Sequence, residues 1–91
     1  MEKTKYIIEY DVDIEEKLRE LPKSVREMIR KAIEKRLTVD PIAFGKPLRF
    51  SLKGYRRLRV GDYRVIYRII NDKVLVMIVD IDHRKEAYED D

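Results

Sequence analysis

The stretch "YRRLRVGDYRVIYRI", residues 55–69, decides the fold because apolar and polar residues alternate on both sides of a Gly61-Asp62 pair. Such alternation predicts two half-buried strands, and the Gly-Asp pair predicts a hairpin turn between them. The following residues predict a second two-residue turn at Asn71-Asp72 and a third strand. We therefore predict an antiparallel three-stranded meander with strands Tyr55–Val60, Tyr63–Ile70 and Lys73–Ile81.

The residues before the meander predict one strand and two helices. The run "KYIIEY", 5–10, has the composition of a short strand. In "DVDIEEKLREL", 11–21, apolar residues recur at i, i+4 and i+7, and acidic residues follow an aspartate cap, as in a helix with one apolar face. Pro22 ends this helix, and a second apolar stripe over 25–37 predicts another. We expect an antiparallel helix hairpin that shares its apolar side.

The segment 40–54 holds two prolines and two glycines, and it predicts a loop with a short extended piece. The predicted fold is therefore α+β: an N-terminal strand, a two-helix hairpin, and an antiparallel three-stranded meander forming one sheet packed on the helices. We expect residues 1–91 to be a single domain, with 86–91 as a short flexible tail.

The composition excludes several classes of protein. Cysteine is absent, so disulfides and thiolate metal sites are excluded. Neither a signal peptide nor a membrane-length apolar run is visible, so we expect a soluble cytoplasmic protein with no membrane contact. Charged residues make up 43% of the chain, well above the usual quarter.

The charge is unevenly distributed. Residues 46–70 hold eight basic side chains against Asp62 alone, a local net charge of +7, although the whole chain carries only +3. Residues 1–45 are balanced, and 71–91 are acidic. A basic segment of this kind predicts a surface for a polyanion or an acidic partner.

Two-residue hairpins fix which side chains share a face. Arg59 then opposes Arg64, Arg57 opposes Ile66, and Arg64 opposes Val79, with each pair on one side of the sheet. One face collects Tyr55, Arg57, Arg59, Arg64 and Arg68. The other collects Leu58, Val60, Val65, Tyr67, Ile69, Val74, Val76 and Ile78, with Arg56 at its margin. Because the helices cover the second face, the arginines converge on the face that the helices leave open.

The open face suits the binding of phosphate. Arginine stays protonated and holds phosphate bidentately, and several arginines together stabilise added negative charge on a reacting phosphate. A solvated basic face is the alternative, but such a face usually includes acidic residues. No pair of acids lies beside these arginines in the predicted register, which favours attack by an RNA 2′-hydroxyl without metal or cofactor over a two-metal nuclease. The histidine, His83, is either a proton carrier or a solvated surface residue.

The chain resembles the RelE/ParE superfamily of type II toxin–antitoxin toxins in three successive features. These are the run "LRVGDYRVIYRI", the apolar strand that follows it, and then "HR" with a tyrosine four residues after the arginine. The resemblance covers nearly the whole chain. RelE-type members are ribosome-dependent endoribonucleases that cut mRNA in the decoding A site. The implied partners are a RelB-like antitoxin, the ribosome and mRNA, with a monomeric free toxin and a hetero-oligomeric antitoxin complex. The alternatives are a ParE-like DNA gyrase inhibitor and a non-catalytic RNA-binding or degenerate toxin.

The resemblance also implies a site. The expected catalytic residues are Arg64, Arg84, Tyr88, Arg57 and His83. The expected RNA- and phosphate-binding residues are Arg59, Arg68, Arg56, Lys53 and Tyr55. Tyr55 stands where relatives carry a lysine, and Arg57 is a poor base because it stays protonated. We therefore expect His83 or Tyr88 to transfer protons while the arginines hold the phosphate.

Overall fold

The computed structural model describes residues 5–83. The predictions for Arg84, Tyr88 and the C-terminal tail lie outside the described residues. The described elements are β1 Ile7–Tyr10, α1 Val12–Arg19, α2 Lys23–Arg36, α3 Pro41–Phe44, β2 Lys46–Pro47, β3 Arg56–Val60, β4 Tyr63–Ile70 and β5 Leu75–His83. Within residues 5–83, no helix is both long enough and apolar enough to cross a membrane.

One sheet of five strands organises the fold, in the order β1-β5-β4-β3-β2. β1 runs parallel to β5, and the other neighbours are antiparallel. The predicted α+β class is confirmed, but the predicted sheet lacked β2, in which Lys46 and Pro47 pair with β3. Proline is tolerated in an edge strand because the missing N–H faces away from the ladder, so this proline did not exclude a strand.

The helices bury their apolar stripes against one face of the sheet. Ile14 and Leu18 of α1 and Ile29 and Ile33 of α2 are almost completely shielded from solvent. Burying each such side chain stabilises the fold by roughly 1.5–3 kcal/mol. Most of the predicted sheet core is confirmed, and it comprises Leu58, Val60, Val65, Tyr67, Val76 and Ile78, with Ile69 packed at its margin.

The second predicted turn is wrong. A short 3-10 turn, Asn71–Lys73, replaces the two-residue turn, and Val74 closes it at φ 52° and ψ 48°. Val74 therefore leaves the predicted core, and Ile70 pairs with Leu75. A β-branched residue rarely adopts this left-handed conformation, so the sequence gives no signal for it.

The register between β4 and β5 differs from the prediction for a second reason as well. Arg64 opposes Asp82 and not Val79, because the longer turn shifts the pairing by two residues and a bulge between Ile66 and Tyr67 shifts it by one more. Tyr67 pairs with Ile78, and Ile66 pairs with Asp80, which leaves Val79 as the extra residue. The bulge reverses the alternation of β5, so that Ile81 joins the core while Asp82 shares a face with Arg64.

Two side chains fix the segment 40–45 beside the sheet edge. The Tyr67 hydroxyl donates to the Pro41 carbonyl at 2.5 Å, and Arg56 Nη2 donates to the Ile42 and Gly45 carbonyls at 2.6 and 3.0 Å. A Cβ at Gly45 would lie 1.9 Å from the Tyr67 hydroxyl oxygen, so the close approach requires glycine. These contacts position β2 and its lysine next to β3.

Candidate nucleic-acid interface

The arginines of β3 and β4 gather on the face that the helices leave open. Arg59 opposes Arg64, and Arg57 opposes Ile66, which confirms the predicted register of the first hairpin. Ile66 is only 3% exposed at the centre of this face. Alternation along β4 places Arg68 on the same side. We call Arg57, Arg59, Arg64 and Arg68 the arginine face.

Two shallow concavities lie at the β2 edge of the arginine face, and both are lined by Lys46 and Arg57. Their volumes are about 400 and 380 Å³. The first is completed by Arg36, Phe44, Leu58 and Arg59, and the second by Pro47, Leu48 and Arg49. No acidic residue is among these lining residues, so this edge, which we call the basic edge, attracts anions.

Sequence reasoning counted Lys46 and Arg49 in the basic segment but missed them as site residues, and it placed Arg36 only on the outer side of the helix pair. Lys46 opposes Arg57 directly, but this pairing follows only once β2 is known to be a strand. Arg36 comes from the end of α2 and reaches the edge through the fold, not through sequence proximity. The one available signal was the absence of acids between 46 and 57.

Arg64 has an acidic side chain beside it as well as the other arginines. Its Nη2 lies 3.5 Å from the Asp82 carboxylate, and Asp82 also lies 3.6 Å from Lys17 Nζ on α1. Lys17 binds Asp80 more closely, at 2.6 Å. The expectation that no pair of acids lies beside the arginines is therefore wrong, because the changed register and the bulge bring both aspartates to this region.

The network shifts the ionisation of its carboxyl groups in opposite directions. Burial and the negative charge of Asp80 raise the pKa of Asp82 above its usual value. Burial alone would raise the pKa of Asp80 too, but the hydrogen bond and charge of Lys17 outweigh it and lower that pKa. The same hydrogen bond raises the pKa of Lys17. Asp82 is thus the carboxyl group of the pair that protonates first on acidification.

Arg56 lies on the other side of β3 from Arg57. Its guanidinium is committed to the carbonyls of Ile42 and Gly45, so the structure does not bring it to the arginine face. Tyr55 precedes the strand and is half-buried, and its backbone groups bond to Leu48 and Leu52. Lys53 is exposed in the loop before β3.

His83 also lies away from the arginine face. It opposes Tyr63, and the two rings meet edge to face with centroids 5.0 Å apart and planes at 78°. The two residues line a concavity of about 330 Å³ on the helix side, together with Lys17 and Leu21. The structure therefore does not place His83 beside the arginines. Within residues 5–83, no three His, Asp or Glu side chains group as metal ligands would.

Phe50 is a further feature that sequence reasoning missed. It is 79% exposed and has a φ of 58° between Arg49 and Lys53. A left-handed conformation costs a residue with a side chain roughly 1–2 kcal/mol. The loop beside the basic edge therefore holds an aromatic ring in solvent at some cost in stability.

Comparison with known proteins places this geometry in a family. The family profile described as "ParE toxin of type II toxin-antitoxin system, parDE" matches residues 6–88. The chain is 31% identical over 83 residues to toxin RelG of Mycobacterium tuberculosis, covering 91% of this chain and 95% of that protein. It is 29% identical to the mRNA interferase toxin RelE of Escherichia coli, covering 90% of this chain and 86% of that protein.

A solved structure supports the same relationship. The toxin–antitoxin complex RelBE2 of Mycobacterium tuberculosis contains a chain that superposes with a TM-score of 0.85 at 29% identity, covering 93% of this chain and 98% of that one. The chain therefore belongs to the RelE/ParE family of type II toxin–antitoxin toxins and resembles its RelE-type members.

Proposed function

We propose that this toxin is a ribosome-dependent mRNA endoribonuclease that inhibits translation. The observation that carries the proposal is the arginine face, in which Arg57, Arg59 and Arg64 lie together on paired strands beside a basic edge. A cationic, concave surface of this kind binds a nucleic-acid backbone. The relative in Escherichia coli that is named an mRNA interferase supports the choice of RNA as substrate.

The proposed chemistry needs no metal and no cofactor. The ribose 2′-hydroxyl gives its proton to a base as its oxygen attacks the adjacent phosphorus, and the bond to the 5′-oxygen of the next nucleotide breaks as that oxygen takes up a proton from an acid. The products are a 2′,3′-cyclic phosphate and a 5′-hydroxyl. Arg64 and Arg57 hold the phosphate and stabilise the charge that builds up on its oxygens, together with Arg84 from beyond the described residues. Each arginine stays protonated throughout, so these residues transfer no protons.

Proton transfer is proposed for Tyr88 or His83. Tyr88 lies four residues after Arg84, and both follow the end of β5, where the strand reaches the arginine face through Asp82. His83 points to the helix side beside Tyr63, so its participation requires the substrate to pass around the end of β5. A His83→Gln variant that cuts RNA at the normal rate would leave the role to Tyr88.

Other cations of the surface would bind phosphates that flank the cut. Arg59 and Arg68 are exposed on the arginine face, and Lys46 and Arg49 line the basic edge. Lys53 and Tyr55 precede β3 and would extend this track along the RNA. Arg56 contributes indirectly, because it fixes the loop that carries the edge.

The proposed partner is a RelB-like antitoxin. One structural neighbour is a RelBE2 toxin–antitoxin complex, and the basic segment 46–70 is complementary to an acidic or amphipathic peptide. We propose a monomeric free toxin that forms a hetero-oligomer with its antitoxin, in the cytoplasm where its ribosomal target lies.

Inhibition of DNA gyrase is the second candidate. It is favoured by the family profile that matches the chain, which is described as a ParE toxin. The two candidates differ in their target, which is DNA gyrase in one case and mRNA on the ribosome in the other. A gyrase inhibitor would also need no nuclease activity. A supercoiling assay with purified gyrase therefore separates them.

The experiment that tests the proposal adds the purified toxin to a reconstituted translation reaction and maps mRNA ends by primer extension. Arg64→Ala is the loss variant, and Arg19→Ala is the matched control because Arg19 is exposed at the end of α1, away from the arginine face. Cuts within translated codons, absent on naked RNA and lost in Arg64→Ala alone, are expected. Intact mRNA under active translation would overturn the proposal, and toxin that still binds ribosomes would then be a non-catalytic member.

A further inference from the structure

The bulge in β5 determines what lies opposite Arg64. If the pairing of Tyr67 with Ile78 continued without interruption, Arg64 would face Ile81. The extra residue, Val79, shifts the pairing so that Arg64 faces Asp82 instead. Bulges are over-represented next to active sites, where they redirect a side chain. This bulge redirects a carboxylate onto the arginine that the proposed function places on the phosphate.

Asp82 is held from two sides. Its carboxylate lies 3.5 Å from Arg64 Nη2 on β4 and 3.6 Å from Lys17 Nζ on α1. Lys17 is itself fixed by its 2.6 Å bond to Asp80. The Arg64 side chain is only 12% exposed and that of Asp82 24% exposed, so solvent screens this contact less than it screens a surface ion pair. The network therefore links a helix on one side of the sheet to the arginine face on the other.

We propose that Asp82 is a positioning residue, which holds the guanidinium of Arg64 in the orientation that grips the reacting phosphate. The inference rests on the proposed function, since Arg64 is there the group that stabilises the reacting phosphate. Arginine is a long, flexible side chain, and a group aimed before substrate arrives loses less freedom when the reaction occurs. A guanidinium has five N–H donors, so a contact to Asp82 leaves donors for phosphate.

The opposite role for Asp82 is competition, in which its negative charge repels phosphate from Arg64. The two roles predict different kinetics. Loss of a positioning contact lowers kcat with little change in KM, because the interaction matters in the transition state. Loss of a competitor lowers KM and leaves kcat unchanged or higher. The charge of Lys17 offsets part of the charge of Asp82, which is why we infer positioning.

The kinetic test uses Asp82→Asn in the translation-coupled cleavage assay, with Asp72→Asn, in the exposed turn before β5, as the control. We expect kcat to fall on the order of tenfold in Asp82→Asn with KM unchanged. Asp82→Glu, which keeps the charge, is expected to restore most of the rate. In an Arg64→Ala background, Asp82→Asn is expected to have no further effect. An unchanged kcat, or a lower KM at constant kcat, would overturn the proposal.

A second measurement works without catalysis. Nitrogen-15 relaxation of the Arg64 Nε–H in the free protein is expected to show an ordered side chain in the wild type and a more mobile one in Asp82→Asn. Equal order in both would refute positioning, whether or not the toxin cuts RNA. If the wild type cuts no RNA but its Arg64 side chain is more ordered than in Asp82→Asn, only the proposed function is refuted. Should Asp82→Asn fail to fold, Lys17→Met removes the second contact of Asp82 and is expected to increase the mobility of Arg64 in the same direction.

Discussion

Replacing Arg56 and Arg57 one at a time by alanine should separate two roles on opposite sides of β3. Arg56 Nη2 donates to two carbonyls, at 2.6 Å to Ile42 and 3.0 Å to Gly45. Both bonds have a charged donor, but both are partly exposed to solvent, so their combined loss should cost about 1–2 kcal/mol. For a chain of this size that corresponds to a fall in Tm of roughly 5–15 °C.

Arg57→Ala should instead leave Tm nearly unchanged and weaken RNA binding. Arg57 lines both concavities of the basic edge, where a phosphate would bind. One lost charge-assisted contact of about 1.4 kcal/mol lowers affinity about tenfold. It should also reduce the slope of log affinity against log salt by about 0.7, the value for one phosphate of a single strand.

The assay combines thermal unfolding with fluorescence anisotropy of a short single-stranded RNA at several salt concentrations. Arg56→Ala is expected to lose stability but to keep the wild-type salt slope when it is measured well below its Tm. Arg57→Ala is expected to show the reverse. If both variants lose affinity and salt slope equally while both keep their Tm, the assignment of the two arginines to opposite faces is refuted.

Three further predictions concern buried and strained residues. Tyr67→Phe leaves the Pro41 carbonyl without its donor and should cost about 1–2 kcal/mol in urea unfolding. Tyr10→Phe removes a buried hydroxyl that has no hydrogen-bond partner within residues 5–83, so it should be neutral or stabilising. A larger loss in Tyr10→Phe than in Tyr67→Phe would contradict this. Burial, followed by the charge of neighbouring glutamates, raises the pKa of Tyr10 to about 12, so the folded state keeps a proton that the unfolded state releases. The free energy of unfolding should therefore fall between pH 10 and pH 12, by up to about 1.4 kcal/mol per pH unit. In Tyr10→Phe it should fall less steeply. The same dependence of Tm on pH in both proteins would refute this. Phe50→Gly should raise stability by about 1 kcal/mol, because glycine adopts a φ of 58° freely, and a lower Tm would contradict the inferred strain.

The first hairpin was predictable because both its signals agree. Alternation from Arg56 to Tyr67 assigns each side chain to a face, and the Gly61-Asp62 turn fixes the register, so the pairing of Arg59 with Arg64 is as predicted. The apolar stripes of the helices were equally clear, since each repeats at helical spacing over several turns. These elements have strong local patterns that tertiary contacts did not override.

The second hairpin was not predictable from its turn residues. Asn71-Asp72 is an ordinary two-residue turn by composition, yet Val74 takes the left-handed position and lengthens the connection. No local preference favours valine there, so the choice must come from the pairing of the flanking strands. The error displaced every partner along β5, including the one opposite Arg64.

The basic edge escaped prediction for a different reason. Lys46 and Arg49 were counted in the charge of the segment, but no periodic pattern places a two-residue strand there. Their position next to Arg57 follows from the contacts of Arg56 and Tyr67 with the preceding loop. These are contacts between residues far apart in sequence, and a periodicity argument cannot find them.

The bulge, by contrast, left a signal in the sequence. Val76 and Ile78 occupy the core, so unbroken alternation would place Asp80 there as well. A buried carboxylate without a partner costs far more than an interrupted ladder, so the phase of β5 must change between Ile78 and Asp80. The same change that keeps Asp80 out of the core directs Asp82 towards Arg64. The requirement that the sheet bury only apolar residues on its helix side thus builds the carboxylate into the arginine face, and folding and site geometry depend on one backbone irregularity.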